Sequence, residues 1–94
     1  MKSVLQHYKE CWVCGTTLDL HSHHIFFGTA NRKKSEQYGL KVWLCGYHHN
    51  LSNEGVHFNK PLDNRLKKFA QEYFESHIGT REDFIREFGK NYLD

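Results

Sequence analysis

Cys11-Trp12-Val13-Cys14 and Cys45-Gly46-Tyr47-His48 are the two stretches on which the reading of this chain turns. The first is a C-x-x-C knuckle and the second a C-x-x-H knuckle. Together they offer three thiolates and one imidazole, a complete tetrahedral set for structural zinc. The close spacing within each pair suits two ligands on one tight turn, and Gly15 and Gly46 supply the backbone freedom such turns need. A lone C-x-x-C also fits a redox pair, but here the second knuckle accounts for the third cysteine. Three cysteines would leave one thiol over in any disulfide framework. Four protein ligands leave no open position for water, so this zinc is expected to be structural, with any chemistry elsewhere.

Working outward, the composition strengthens the metal reading. Eight histidines stand among 94 residues, and those at positions 21, 23, 24, 48 and 49 lie close to the cysteines. Such Cys/His clustering points to metal binding. The length fits one domain, residues 1–94, whose modest core benefits from a metal staple. The net charge of +2 does not by itself argue for a nucleic-acid partner. The basic residues are bunched, however: Arg32, Lys33 and Lys34 form one block, and Arg65, Lys67 and Lys68 another. No run of about 18 apolar residues exists to span a membrane. Met1-Lys2-Ser3-Val4 does not open an apolar signal-peptide core, so a soluble, cytoplasmic protein is expected.

Pro61 divides the chain into residues 1–58, which carry the knuckles, and residues 59–94, which read as two helices. Upstream, residues 18–27 and 40–44 are strand-like. The polar, basic residues 28–39 between them read as a loop with at most a helical turn. A short helix is expected over residues 46–53, closed by Gly55 in the left-handed conformation. Downstream, Asn59 is a good N-cap with Pro61 in the first turn. Leu62, Leu66, Phe69, Ala70, Tyr73 and Phe74 then recur at helical spacing. Thr80-Arg81-Glu82-Asp83 resembles a capping box, Phe84, Ile85 and Phe88 make an inner face, and Gly89 ends the helix. The fold class is α+β, with Leu66, Phe69, Phe84 and Phe88 expected to be largely buried.

His23 and His24 are adjacent on a strand-like run, so their side chains point to opposite faces. One can face a metal while the other faces a substrate. With His49 at the start of the short helix, several imidazoles converge into a plausible hydrolytic centre.

The order C-x-x-C, His-His-Ile, Leu-Cys-x-x-His-His-Asn resembles the zinc-knuckle branch of the HNH (His-Me finger) endonucleases. Their usual pattern is C-x-x-C, Asp-His-Ile, a central Asn, then Leu-Cys-x-x-Cys-His-Asn. His23-His24-Ile25-Phe26 and Gly55-Val56-His57-Phe58 are especially similar to small phage-encoded members. The resemblance implies a ββα-metal finger with C-terminal helices and a metal-dependent endonuclease acting on DNA, with RNA left open. By the same resemblance, Cys11, Cys14, Cys45 and His48 hold the structural zinc, and His24 is the general base. His23 and His49 hold a catalytic divalent ion (Mg²⁺, Mn²⁺, Ni²⁺ or Zn²⁺), completed by Asn53 or by His57. Arg32, Lys33 and Lys34 contact the phosphate backbone. Leu40 stands where the family has its central Asn, so Asn31 or Asn50 is the candidate to orient the base. His21 is a substrate contact or simply exposed. Two other function classes compete: a zinc-containing module that binds nucleic acid without cutting it, and a phage structural or interaction protein whose helices dock a partner.

Overall fold

The structure, a computed structural model, describes residues 2–52 and 55–93. Its strands β1 (Leu20–His24) and β2 (Lys41–Cys45) pair antiparallel, Leu20 opposite Cys45 and His24 opposite Lys41. Alternation along this ladder puts Ser22, His24, Lys41 and Trp43 on one face of the sheet. His21, His23, Val42 and Leu44 take the other.

The strands are joined by helix α1 (Thr29–Tyr38), where a loop was expected. Its sequence carries no apolar stripe, and its one buried side chain is Ser35. Tertiary bonds replace the missing stripe. The Ser35 hydroxyl accepts from the Phe26 N–H (3.1 Å) and donates to the Phe26 carbonyl (2.8 Å). Gly39 ends the helix at φ 71°, and a Cβ there would lie 2.6 Å from the Lys2 carbonyl oxygen.

Helix α2 (Gly46–His49) leaves β2 directly and is shorter than the expected 46–53. Gly55 is not left-handed. Its role is close approach: a Cβ at Gly55 would meet the His49 carbonyl oxygen at 2.7 Å. The missing side chain lets the following segment lie on α2, with the Val56 N–H donating to the His48 carbonyl (2.8 Å).

Helix α3 (Lys60–His77) starts as expected, the Asn59 side chain accepting from the Leu62 N–H with Pro61 in the first turn. Helix α4 (Arg81–Phe88) has the full capping box, Thr80 and Asp83 each accepting from the other's backbone N–H, and ends at Gly89 with φ 82°. Phe26, Phe74, Phe84 and Phe88 interlock at ring separations of 4.5–6.3 Å, over Ile25, Leu40, Leu44 and Leu66. Leu66, Phe84 and Phe88 are buried as expected, whereas Phe69 is half-buried against Trp12. Among the described residues, no helix is long and apolar enough to cross a membrane. The architecture is a small α+β fold: among the described residues, a two-stranded sheet with four helices packed around it.

Candidate metal centre and active site

The knuckles converge. Cys11 and Cys14 precede the sheet, Cys45 ends β2, and His48 sits on α2. Their ligand atoms all lie within 4.8 Å of one another. Cys14 Sγ lies 3.8 Å from Cys45 Sγ, and His48 Nδ1 lies 3.8 Å from Cys11 Sγ and 3.3 Å from Cys45 Sγ. Two thiolates about 2.3 Å from one tetrahedral ion stand about 3.8 Å apart, so the spacing is that of a zinc site. Burial pushes the Cys11 thiol up, but backbone hydrogen bonds from Cys45, Cys14 and Val13 outweigh it and bring it down to about 6. This favours the thiolate that binds metal. Burial pushes the Cys45 thiol the other way, so the set needs the ion's charge to become fully ionised. This Cys3His cluster is compatible with a structural zinc.

A second group gathers on the opposite side of β1. His23, His49 and His57 bring one nitrogen each within 4.8 Å of the others. Their ring centroids are 4.9–5.4 Å apart. His23 is only 3% exposed, and its Nε2 is buried without a protein partner. A buried imidazole nitrogen with nothing to bond is costly unless something fills the gap. His49 Nε2 lies 3.2 Å from His57 Nε2, near the roughly 3.4 Å separating two nitrogens on one tetrahedral ion at about 2.1 Å. Burial, and then the charges of His49, His57, His24 and Lys67, hold His23 down to about 3. Burial, His57 and His21 hold His49 down to about 4. Both are therefore neutral at pH 7, the form that ligates metal. The residues fit a divalent ion with three imidazoles and open positions left over.

Behind His49 stands a relay that the sequence reading did not assign. His49 Nδ1 lies 2.8 Å from His21 Nδ1, and His21 Nε2 lies 3.2 Å from the Asp19 carboxylate. Asp19 is the one non-glycine residue at positive φ (51°) among the described residues, a region that Asp tolerates better than most. Gly46 makes room for it: a Cβ at Gly46 would collide with Asp19 Oδ2. The available signal was the alternation Asp19-x-His21-x-His23, which puts three ligand-type side chains on one face of an extended run.

His24 points the other way, as its strand position requires. Its Nε2 lies 2.8 Å from Glu36 Oε1, on α1. The Lys41 ammonium contacts the same carboxylate at 2.9 Å and 3.0 Å. A carboxylate beside an ammonium is ionised and can only accept, so Nε2 carries a proton toward it, and in the neutral ring the lone pair lies on Nδ1. A cleft of about 250 Å³ is bordered by Ser22, His23, His24, Arg32, His49 and His57, which brings His24 and the three-imidazole group to one opening. Arg32 and Lys33 are exposed beside His24. Lys34 is turned to α4, paired with Glu87 (3.2 Å) and donating to its carbonyl. Asn31 also faces α4, donating to the Phe88 carbonyl at 3.5 Å, so the group that touches His24 is Glu36 and not Asn31. Asn50 is exposed at the end of α2. Asn53 lies outside the described residues. In the comparisons with known proteins, the chain matches no family model, no curated protein and no solved structure.

Proposed function

We propose that this protein is a metal-dependent endonuclease of the HNH type, a ββα-metal finger that hydrolyses phosphodiester bonds in DNA. The observation that carries the proposal is the meeting of His23, His49 and His57 with His24 at one cleft, where His23 keeps a buried nitrogen with no protein partner. The three imidazoles would hold a divalent ion by three sites and leave others for substrate oxygen. An imidazole set favours Mn²⁺, Ni²⁺ or Zn²⁺ over Mg²⁺. When bound, the ion supplies positive charge to the phosphate and to the leaving oxygen.

The chain's own groups do the rest. His24 Nδ1, which carries the lone pair of the neutral ring when Glu36 accepts from Nε2, takes a proton from the attacking water. Arg32 borders the cleft with its guanidinium available to a phosphate, and Lys33 is exposed next to it. Such contacts fix the backbone without reading bases, so weak sequence specificity is expected.

Plasmid nicking tests the reading, with each divalent ion supplied in turn to zinc-stapled protein. His24→Ala is expected to lower the rate by about 10²–10⁴-fold, the usual worth of a general base. More ion should not restore it. His49→Ala is also expected to lose activity, but raising the ion concentration should recover part of it, because the lost group is a ligand. An active His24→Ala protein, or a wild type inactive with every ion, overturns the proposal. In the latter case, DNA binding without cleavage would favour the binding-module reading.

A further inference from the structure

A groove of about 770 Å³ lies between the N-terminal segment and the sheet. Its floor is the face of the sheet that carries His24: Ser22 pairs with Trp43 in the ladder, and His24 pairs with Lys41. Ser22 borders both the groove and the histidine cleft, so the two openings meet at one residue of the sheet. The groove's wall is fixed. The Ser3 hydroxyl donates to the Lys41 carbonyl (2.5 Å), and the Gln6 side chain accepts from the Trp43 N–H (2.8 Å). The Trp12 N–H donates to the Trp43 carbonyl (2.8 Å), which holds the Trp43 backbone from both sides.

The chemistry of the lining is one-sided. Lys2, His7, Lys9 and Lys41 border the groove, and no carboxylate does among the described residues. Two aromatic rings accompany them. Tyr8 is 76% exposed, with no packing that explains its ring. Trp43 carries the Lys9 ammonium over its face at 4.6 Å. A flexible cation resting on an indole leaves that face free when a phosphate draws the cation away. Ammonium groups alternating with open aromatic faces are what single-stranded nucleic acid recognises: phosphates on the cations, bases on the rings. A duplex keeps its base faces inside its own stack and gains nothing from the rings.

We propose that this groove seats a single strand of DNA flanking the cut. Its bases stack on Tyr8 and Trp43, and its phosphates lie on Lys2 and Lys9. The strand then runs over Ser22 toward His24. The substrate class is therefore DNA with a single-stranded stretch beside the scissile bond: a flap, a gap or a junction. The position of the cut rests on the nuclease reading, but strand binding is measured without cleavage.

Fluorescence anisotropy of labelled (dT)12, its duplex with (dA)12, and (rU)12 tests the groove. The zinc-stapled protein is used with no second divalent ion added. Wild type should bind (dT)12 more tightly than the duplex and quench its tryptophan emission, with the quenching weakened in Trp43→Phe. Tyr8→Ala removes an exposed ring, so the fold stays intact. It should weaken (dT)12 binding by at least about fivefold, the low end for one base–aromatic stack. Lys9→Ala should lower the salt slope of binding by about 0.7. Tighter binding of the duplex or of (rU)12 overturns the proposal, as do Tyr8→Ala and Lys9→Ala proteins that bind (dT)12 like wild type. The two readings fail separately. Nicking by a protein whose groove variants bind normally refutes the groove alone. Loss of (dT)12 affinity in the groove variants of a protein that never nicks refutes the nuclease alone.

Discussion

The molecule gathers metal-binding side chains twice, and the two gatherings differ in how they are built. The cysteine cluster takes its four ligands from two short knuckles, each spanning four residues, and it closes a full tetrahedron. Among the described residues, the histidine cluster takes one ligand-type side chain from β1, one from α2 and one from the segment after Gly55, three in all. A closed set made of local turns contributes to folding. An open set made of distant elements depends on the fold already being there and leaves room for a substrate. The same chain thus separates a closed set compatible with a structural metal from an open set of histidines, with His48 and His49 adjacent on α2 but belonging to different clusters.

The largest expected effect breaks this comparison most directly. In small structural sites the metal's binding free energy, about 10–16 kcal/mol in zinc-finger peptides, is largely folding free energy. Cys14 is exposed, so Cys14→Ser empties no core and isolates the loss of the ligand. That variant is expected to lose cooperative thermal unfolding near the knuckles, as is wild type stripped by a strong chelator. His57→Ala, equally exposed, should melt like wild type. Metal analysis should find about one tightly held zinc per chain in both wild type and His57→Ala. A Cys14→Ser protein with the melting curve and zinc content of wild type would leave the cysteine cluster without a structural role.

A smaller effect sharpens the contrast. The relay Asp19–His21–His49 gives the histidine cluster a second layer that would orient His49 toward a bound ion. Such outer partners typically set metal affinity by 10–100-fold. His21→Ala and Asp19→Asn are therefore expected to weaken the second ion's binding within that range, as measured by competition with a metal indicator. The zinc of the cysteine cluster should be untouched. Equal weakening at both sites would mean that the variants disturb the shared α2 and not the relay.

How much of this was legible in the sequence follows the same division. The knuckles are local, so spacing alone identified Cys11, Cys14, Cys45 and His48 as a set. The ends of α3 and α4 were legible because Asn59 and the Thr80–Asp83 box act on backbone within three residues. Helix α1 was not, because nothing in residues 29–38 repeats with a helical period. Ser35 holds it through a bond to Phe26, just before the helix, and Lys34 and Tyr38 through bonds to Glu87, far away in sequence. Missing α1 also hid Glu36, because only a helix there brings its carboxylate to His24. His57 was legible as an alternative ligand, but its approach to His49 depends on the close contact at Gly55, which carries no signal beyond the glycine itself.

The smallest expected effect is on acid stability, and it separates the clusters by their ionisation. An imidazole in the unfolded chain titrates near 6.5. In the folded protein, burial is the main cause that holds His23 down to about 3 and His49 down to about 4. From pH 6.5 downward, the unfolded chain takes up protons that the folded chain refuses. The stabilisation is therefore complete above pH 6.5 and is lost progressively as the pH falls toward 4 and then 3. Each such proton tilts stability by at most about 1.4 kcal/mol per pH unit. His49 is partly open to solvent, so its share is smaller than that of His23. Urea unfolding at pH 6.5, 5.5 and 4.5, with no second ion added, compares wild type with His23→Gln, which cannot titrate. Acid loss of the cysteine cluster is common to both proteins and cancels in the difference. The variant is expected to show the shallower decline. Parallel declines would mean that His23 is not held neutral by burial, and the histidine cluster would then lack the preformed, proton-free ligand that distinguishes it from a surface patch of histidines.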